Sequence, residues 1–313
     1  MRHTVLLLLP LMLACHLALD AAQPATGAPG DQWLTRPVDD QTFKTYLDFF
    51  AYDRKLPLET KVAKIDDEQG LRRERLSFQT TPGVRATAIL FQASGSAGTK
   101  APALILLHGG VAPGKDAPGP LRAAELLSRA GWSVLSMDLQ YFGERSTPLL
   151  TTFAEQEKHD KLFNQPPLYL AWIIQSVKDI SRGIDFLVEQ RGIDPRRIGL
   201  VGSSRGAIVG SIAAGVERRL SPVVLLFGAH YDALENNHLA AACPANYIGR
   251  ISPRPLLMIN GTQDSDMIKD RAVEPLFKLA KQPKQIIWTD GGHMFMTEEH
   301  RAALIQWLRE HQK

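Results

Sequence analysis

The sequence predicts an α/β protein with one mostly parallel central sheet and helices on both faces. Three observations carry that prediction. Short apolar runs alternate with amphipathic stretches through most of the chain. The runs themselves are uncharged and aliphatic, as strands covered on both sides must be. The composition is that of an ordinary globular protein: 313 residues, 44% apolar and 22% charged, long enough for a sizeable core. The net charge of +3, from 36 basic and 33 acidic side chains, shows no basic clustering of the kind nucleic-acid binding needs. Two cysteines cannot build a disulfide scaffold.

The first segment stands apart. Residues 1–22 (MRHTVLLLLPLMLACHLALDAA) start with Arg2 and His3 and continue in an uncharged apolar run from Val5 to Ala14. That run is too short to span a bilayer, for which about 20 residues are needed, and has the size of a signal-peptide core. Cleavage after Ala21 or Ala22 is one expectation. The other is a lipoprotein signal, because Met12-Leu13-Ala14-Cys15 partly matches a lipobox and would leave a lipid anchor on Cys15. Either reading exports the protein, to the periplasm, the envelope or the medium, and leaves Cys243 as the one cysteine that is neither removed nor lipidated, expected as a buried small hydrophobe. Residues 23–42 are expected as a tether, rich in Pro, Gly and Ala at 23–31, and an N-terminal extension. Residues 43–313 are expected as a single catalytic domain.

Within that domain, Phe43–Tyr52 reads as a leading helix and Lys61–Phe78 as antiparallel edge strands. Ala86–Phe91, Ala103–Leu107, Ser133–Met137, Ile198–Val201, Val223–Phe227, Leu256–Ile259 and Gln285–Trp288 read as buried strands. Leu121–Ala130, Ala171–Gln190, Ala207–Val216, Asp270–Ala280 and Thr297–His311 carry apolar residues at helical spacing. In such sheets the chemistry sits just beyond the carboxyl ends of the strands.

Three of those strand ends carry the signals for nucleophilic catalysis. Ile198–Val201 runs into Gly202-Ser203-Ser204-Arg205-Gly206 and then a helix rich in small residues. This is G-x-S-x-G in its strand–turn–helix context: the serine takes a strained positive φ, and the two glycines avoid a Cβ collision. Ser203 lacks glycines at the right offsets, so Ser204 is the expected nucleophile. A serine needs a base, and the base needs an orienting acid. Leu256–Ile259 is followed by Asp264, the expected acid, with Asp266 as a rival whose plainer role is to cap the next helix. Gln285–Trp288 is followed by Gly291-Gly292-His293, and His293 is the expected base, with Asp290 assigned to the turn. The order serine, acid, histidine is the one this fold class uses. The remaining histidines, including His159, His230, His238, His300 and His311, have no comparable context. Ala103–Leu107 runs into His108-Gly109-Gly110, where small residues let backbone amides approach a substrate carbonyl, with the amide of Arg205 as partner donor. His108 is expected to be structural.

With these motifs in place, the chain resembles the α/β-hydrolase superfamily, and within it the dienelactone-hydrolase, acetyl-xylan-esterase and prolyl-oligopeptidase-type groups. The resemblance covers residues 84–311. It rests on HGG at 108–110, FGERS at 142–146, DPRRIGLVGSSRG at 194–206, ANYIGRISPRPLLMINGTQD at 245–264 and GGH at 291–293. It implies the α/β-hydrolase fold with a small lid insertion, and Ser204, Asp264 and His293 as nucleophile, acid and base. By position it implies Gly110 and Arg205 as oxyanion donors. It further implies carboxylic-ester hydrolysis through an acyl-enzyme, on a small-molecule or carbohydrate ester, with no metal or organic cofactor. The sequence departs from the pattern in carrying serine where dienelactone hydrolases carry cysteine, and in a turn at Gln140–Gly143 with one glycine.

The pocket is expected to be shaped by an insertion between Ser146 and Leu170, with Phe153, Phe163, Tyr169 and Trp172 as candidates either for an apolar wall or, as the plainer role of any single one, for packing within the insertion, and by the loop Gly228–Ala245 with His230 and Tyr231. The Arg205 side chain is expected either to meet a substrate carboxylate or to form a structural ion pair. Two alternatives stand beside the esterase reading: a prolyl-oligopeptidase-like peptidase, against which stands the lack of a propeller domain or an evident acidic pair, and a non-catalytic envelope protein on the same fold.

Overall fold

The computed structural model describes residues 31–93, 101–235 and 238–312. The signal-peptide and Cys15 expectations fall on residues 1–22 and so lie outside the described residues, as does most of the proposed tether.

Nine strands form one sheet: β1 (Lys61–Glu68), β2 (Leu71–Thr81), β3 (Val84–Ala93), β4 (Ala103–Leu107), β5 (Ser133–Met137), β6 (Ile198–Ser203), β7 (Leu220–Leu226), β8 (Leu256–Gly261) and β9 (Lys284–Thr289), in the spatial order β1-β2-β3-β5-β4-β6-β7-β8-β9. Strand β1 pairs antiparallel with β2, β2 with β3 and β3 with β5, whereas all pairs from β5 through β9 are parallel. This is the predicted architecture, with the edge strands where polarity placed them.

Side-chain alternation divides the core into two faces. Leu104 and Leu106 of β4, Val201 of β6, Val224 and Leu226 of β7 and Leu257 and Ile259 of β8 face two helices, α3 (Pro118–Arg129) and α9 (Glu298–His311). Their sequence neighbours Ile105, Leu107, Leu200, Leu225 and Met258 face the opposite layer. That layer contains α6 (Pro166–Arg191), α7 (Arg205–Val216) and α8 (Glu274–Leu279). Helix α7 is buried along nearly its whole length, which explains why it is apolar all round. Helix α8 is shorter than its periodicity suggested, because residues 269–273 form a π-type turn first.

The N-terminal extension is docked on this second layer. Residues Asp31–Thr35 form α1 and Asp40–Phe49 form α2, which starts and ends three residues earlier than the Phe43–Tyr52 helix read from the sequence, because Asp39 caps it by accepting the Thr42 amide. Trp33, Leu34 and Val38 pack on the core, and the Val38 amide donates to Asn246 Oδ1 at 2.9 Å. The insertion contains two short helices, α4 (Pro148–Thr151) and α5 (Glu155–Lys158), followed by a π turn at His159–Phe163. Among the described residues no helix is long and apolar enough to cross a membrane.

The order β5-β4-β6 places the topological switch point beside β4, because the chain moves outward to β5 in one direction and to β6 in the other. A crevice opens where successive crossovers part in this way. The ends of β4 and β6 are direct neighbours there, with Leu107 paired to Gly202.

Candidate active site

The turn after β6 has the strain its motif requires. Ser204 sits at φ +52°, between the strand and the first turn of α7, with its amide donating to Leu226 O at 2.8 Å. A Cβ on Gly202 would lie 2.3 Å from Gly206 O, and one on Gly206 would lie 2.4 Å from His108 O and 2.7 Å from Leu107 O. These are backbone atoms of the first turn of α7 and of the end of β4 with the residue that follows it, and they cannot step aside cheaply. We therefore expect Gly206→Ala to lower stability by at least about 1–3 kcal/mol, read as an earlier urea midpoint at unchanged m. An unchanged midpoint would show that the β4 end is looser than this packing implies.

The three residues singled out from separate strand ends meet here. His293 Nε2 lies 2.9 Å from Ser204 Oγ, and His293 Nδ1 lies 2.8 Å from Asp264 Oδ2. The other oxygen of Asp264 accepts the amides of Asp266 and Met267, each at 2.9 Å. Burial pushes the Asp264 carboxyl up, but the hydrogen bonds from His293 and these two amides outweigh it and hold the group below its ordinary value. It is therefore a carboxylate that can only accept, so His293 donates from Nδ1 and leaves Nε2 free to accept the serine proton. Asp266 is exposed, 4.0 Å from His293 Nε2, and the turn that follows begins after Ile268, so Asp266 does not cap it as its plainer reading supposed. Asp290 belongs to the turn, accepting from Gln263 Nε2 at 3.1 Å.

The loop after β4 closes the other side. Gly109 is the glycine in contact with the serine: its ideal Cβ would stand 3.2 Å from Ser204 Cβ. Gly110 lies next to it against the Arg205 Cβ. The Arg205 amide is at the first position of α7, where no intrahelical acceptor exists. His108 is structural, as expected. It is buried, its Nε2 accepts the Leu139 amide at 3.0 Å, its Nδ1 lies 2.6 Å from Gly109 O, and burial lowers its pKa.

The Arg205 side chain takes the ion-pair option. Nη1 donates to Glu235 and Nη2 to Asp232, both buried, and the guanidinium lies 4.0 Å from the Phe163 ring centre. Burial raises the Asp232 carboxyl, but the Arg205 charge and a hydrogen bond from His159 overcome that and hold it well below the carboxylate range. His159 Nε2 reaches Asp232 at 3.0 Å. His159, set aside on sequence context, thus ties the insertion to the residue that follows the serine. Nothing local in the sequence signals it, since the partners lie on three separate segments.

Of the insertion aromatics, Phe163 lines the cavity over Ser204. Tyr169 and Trp172 do not: both are buried in a stack with ring centres 5.9 Å apart. Phe153 packs within the insertion, under Lys161. His230 is buried against Cys243 Sγ at 3.5 Å, and Tyr231 packs under Arg271, so neither wall residue expected from that loop reaches the cavity. Cys243 itself is buried as expected. The cavity measures about 860 Å³ and contains Ser204, His293, Gly109 and Gly110 in its wall.

No family model matches the chain. The uncharacterized protein YfhR of Escherichia coli is 30% identical over 128 residues, a stretch that is 37% of this chain and 45% of that protein. The chain thus spans under half the length of the curated relatives it matches. Solved structures align over much more of it. An acetyl xylan esterase from a Paenibacillus species superposes with a TM-score of 0.67 at 14% identity, over 90% of this chain and 99% of that one. A cold-adapted esterase from an Arctic intertidal metagenomic library gives 0.60 at 18% identity, over 80% and 98%. An alpha/beta hydrolase from a Penicillium species gives 0.56 at 17% identity, over 77% and 99%. With its sheet order, its switch point and the strained serine turn after β6, the chain has the α/β-hydrolase fold.

Proposed function

We propose that the chain is a serine hydrolase of carboxylic esters, working through an acyl-enzyme on Ser204. The observation that carries this is the unbroken hydrogen-bonded line from Ser204 Oγ through His293 to the buried Asp264. Ser204 Oγ attacks the ester carbonyl carbon as His293 Nε2 takes its proton. The carbonyl oxygen becomes an oxyanion held by the amides of Gly110 and Arg205. Collapse breaks the bond to the alcohol oxygen, which receives the proton from His293. Water then repeats the sequence, releases the acid and restores the serine. Asp264 keeps the imidazole in the useful tautomer and stabilises the imidazolium.

The fold shared with the acetyl xylan esterase and the Arctic esterase supports an ester, including a sugar ester, as substrate. Residues 1–22 are proposed as an export signal, so the enzyme would act in the periplasm, the envelope or the medium, with Cys15 as the lipid attachment point if the lipobox is used.

The test is a comparison of p-nitrophenyl esters and acetylated sugars with peptide p-nitroanilides. The proposal expects ester turnover at least about 100-fold faster in kcat/KM, a difference of about 2.7 kcal/mol in transition-state stabilisation. Equal or faster amide cleavage would favour the peptidase reading. No turnover of either would favour a non-catalytic role.

A further inference from the structure

The cavity that holds Ser204 does not end at the catalytic residues. Its wall includes Leu106, Val201 and Leu226, which lie at the carboxyl ends of β4, β6 and β7. It also includes Leu127 of α3 and Leu304 of α9. All five belong to the core face between the sheet and helices α3 and α9, and each is at most 6% exposed. Side chains so deep can wall the same space as the serine hydroxyl only if that space descends from the serine, between α3 and α9, to the sheet surface. The floor is continuous, because Leu106 is paired with Val201, and Ser203 with Leu226, across adjacent strands. Val201 lies two residues before Ser203, so the floor is about 7 Å below the strand end. The mouth is apolar too: Val111, Leu126 and Met294 line it and are exposed. The same two helices also bring charged groups to the wall, Arg122 from α3 and Glu298 and Arg301 from α9, and Arg301 is engaged by Met296 O at 2.9 Å and by Glu298 at 3.4 Å.

We propose that this slot receives an aliphatic chain of the ester, several carbons long, and that α3 and α9, rather than the insertion, set chain-length specificity. The proposal rests on the ester-hydrolase reading above and deepens it. An aliphatic chain suits the slot because the side chains of Leu106, Val201, Leu226, Leu127 and Leu304 offer it no hydrogen-bond partner, and a polar group set against them would be desolvated without compensation. The chain can come from the acyl side or from the alcohol. Each methylene that enters adds about fourfold to kcat/KM, the equivalent of about 0.8 kcal/mol of burial, until the floor is reached.

The experiment uses two substrate series on the whole protein: p-nitrophenyl acetate to decanoate, and ethyl to octyl acetate. The expected result is a rise of at least about 30-fold along one of the series, which also identifies the side that enters. The blocking variant is Ala123→Phe, since Ala123 is half-buried on α3, lines the cavity and touches this core face. It should cut turnover of the longest good substrate at least tenfold while leaving the shortest within about threefold. Flat series with good acetate turnover, or equal losses on short and long chains at an unchanged melting temperature, would overturn the slot and leave the esterase reading intact. If no ester is cleaved, the esterase reading fails and calorimetry with octanoate decides the slot. Binding with a negative ΔCp that Ala123→Phe abolishes would uphold it, and no binding by the wild type would overturn it.

Discussion

Ser204→Ala is expected to lower kcat for ester cleavage by roughly four to six orders of magnitude while leaving the urea midpoint nearly unchanged. The size follows from the geometry. Ser204 Oγ lies 2.9 Å from His293 Nε2 and is the acyl acceptor of the proposed mechanism, so its loss would remove the covalent route entirely. What remains is whatever water can do against a carbonyl polarised by the amides of Gly110 and Arg205. The fold is spared because the strain sits in the turn backbone, at φ +52°, and not in contacts of the hydroxyl. Retention of more than a few per cent of kcat would remove Ser204 from the mechanism. Ser203, which also lines the cavity, would then be the residue to examine.

The second large effect is structural and comes from a buried lysine. Lys115 follows the Gly109–Gly110 loop, and its ammonium is fully buried, 2.7 Å from Asp138 Oδ2, 2.6 Å from Glu144 and 3.0 Å from Asp116. The Asp138 side chain is equally buried and also accepts the Lys115 amide at 2.9 Å. Gly114 and Gly143 flank that carboxylate, and a Cβ on either would fall 2.2 Å or less from Asp138 Oδ1. Two loops, one carrying Gly110 and the other the FGERS segment, are clamped through one ion cluster. Burial alone would lower the lysine pKa, but the Asp138 charge and its hydrogen bond reverse this, so it stays charged.

Lys115→Met keeps the stem and removes the charge, stranding Asp138. The expected cost is about 3–5 kcal/mol, or a fall in melting temperature of roughly 6–15 °C. Adding Asp138→Asn should recover part of it, because the amide oxygen can still accept from the Lys115 amide while the buried charge is gone. A double variant with fully additive losses would show that packing, not charge, is what Lys115 supplies. The cluster also has an acid limit. The carboxyls of Glu144 and Asp116 are raised by burial but held below their ordinary values by Lys115 and Arg75. Groups with depressed folded-state pKa values stabilise above their unfolded values of 4.5 and 3.8 and lose that contribution as pH falls through the lowered ones.

What the sequence disclosed and what it withheld divide along a physical line. The serine turn was legible because its constraints are local: a strand, two glycines at fixed offsets and a helix of small residues all lie within 198–216. Asp264 and His293 were legible because each follows a strand, and a parallel sheet delivers every such strand end to the same edge. The insertion was placed on the correct side, yet its aromatics could not be sorted into wall and packing residues, because Tyr169 and Trp172 look no different from pocket residues until α6 is seen to bury them. The Arg205 anchor was out of reach. Its partners Asp232, Glu235 and His159 lie 27, 30 and 46 positions away, at no period that a helix or strand imposes. Lys115 was hidden in the same way, as an ordinary lysine in a loop whose burial depends on Asp138 at the end of a different strand. The apolar slot was invisible for a further reason. Leu106, Val201 and Leu226 read as core, and they are core, until α3 and α9 leave a gap above them.

The central claim is that Ser204 is a nucleophile activated by His293, and covalent labelling reads it most directly. The protein is treated with a fluorophosphonate at neutral pH, weighed intact and mapped by peptide. The account predicts one adduct per chain, located on Ser204, absent from Ser204→Ala and strongly slowed in His293→Ala. An adduct on another residue, equal labelling of Ser204→Ala, or no adduct on the folded wild type would contradict it.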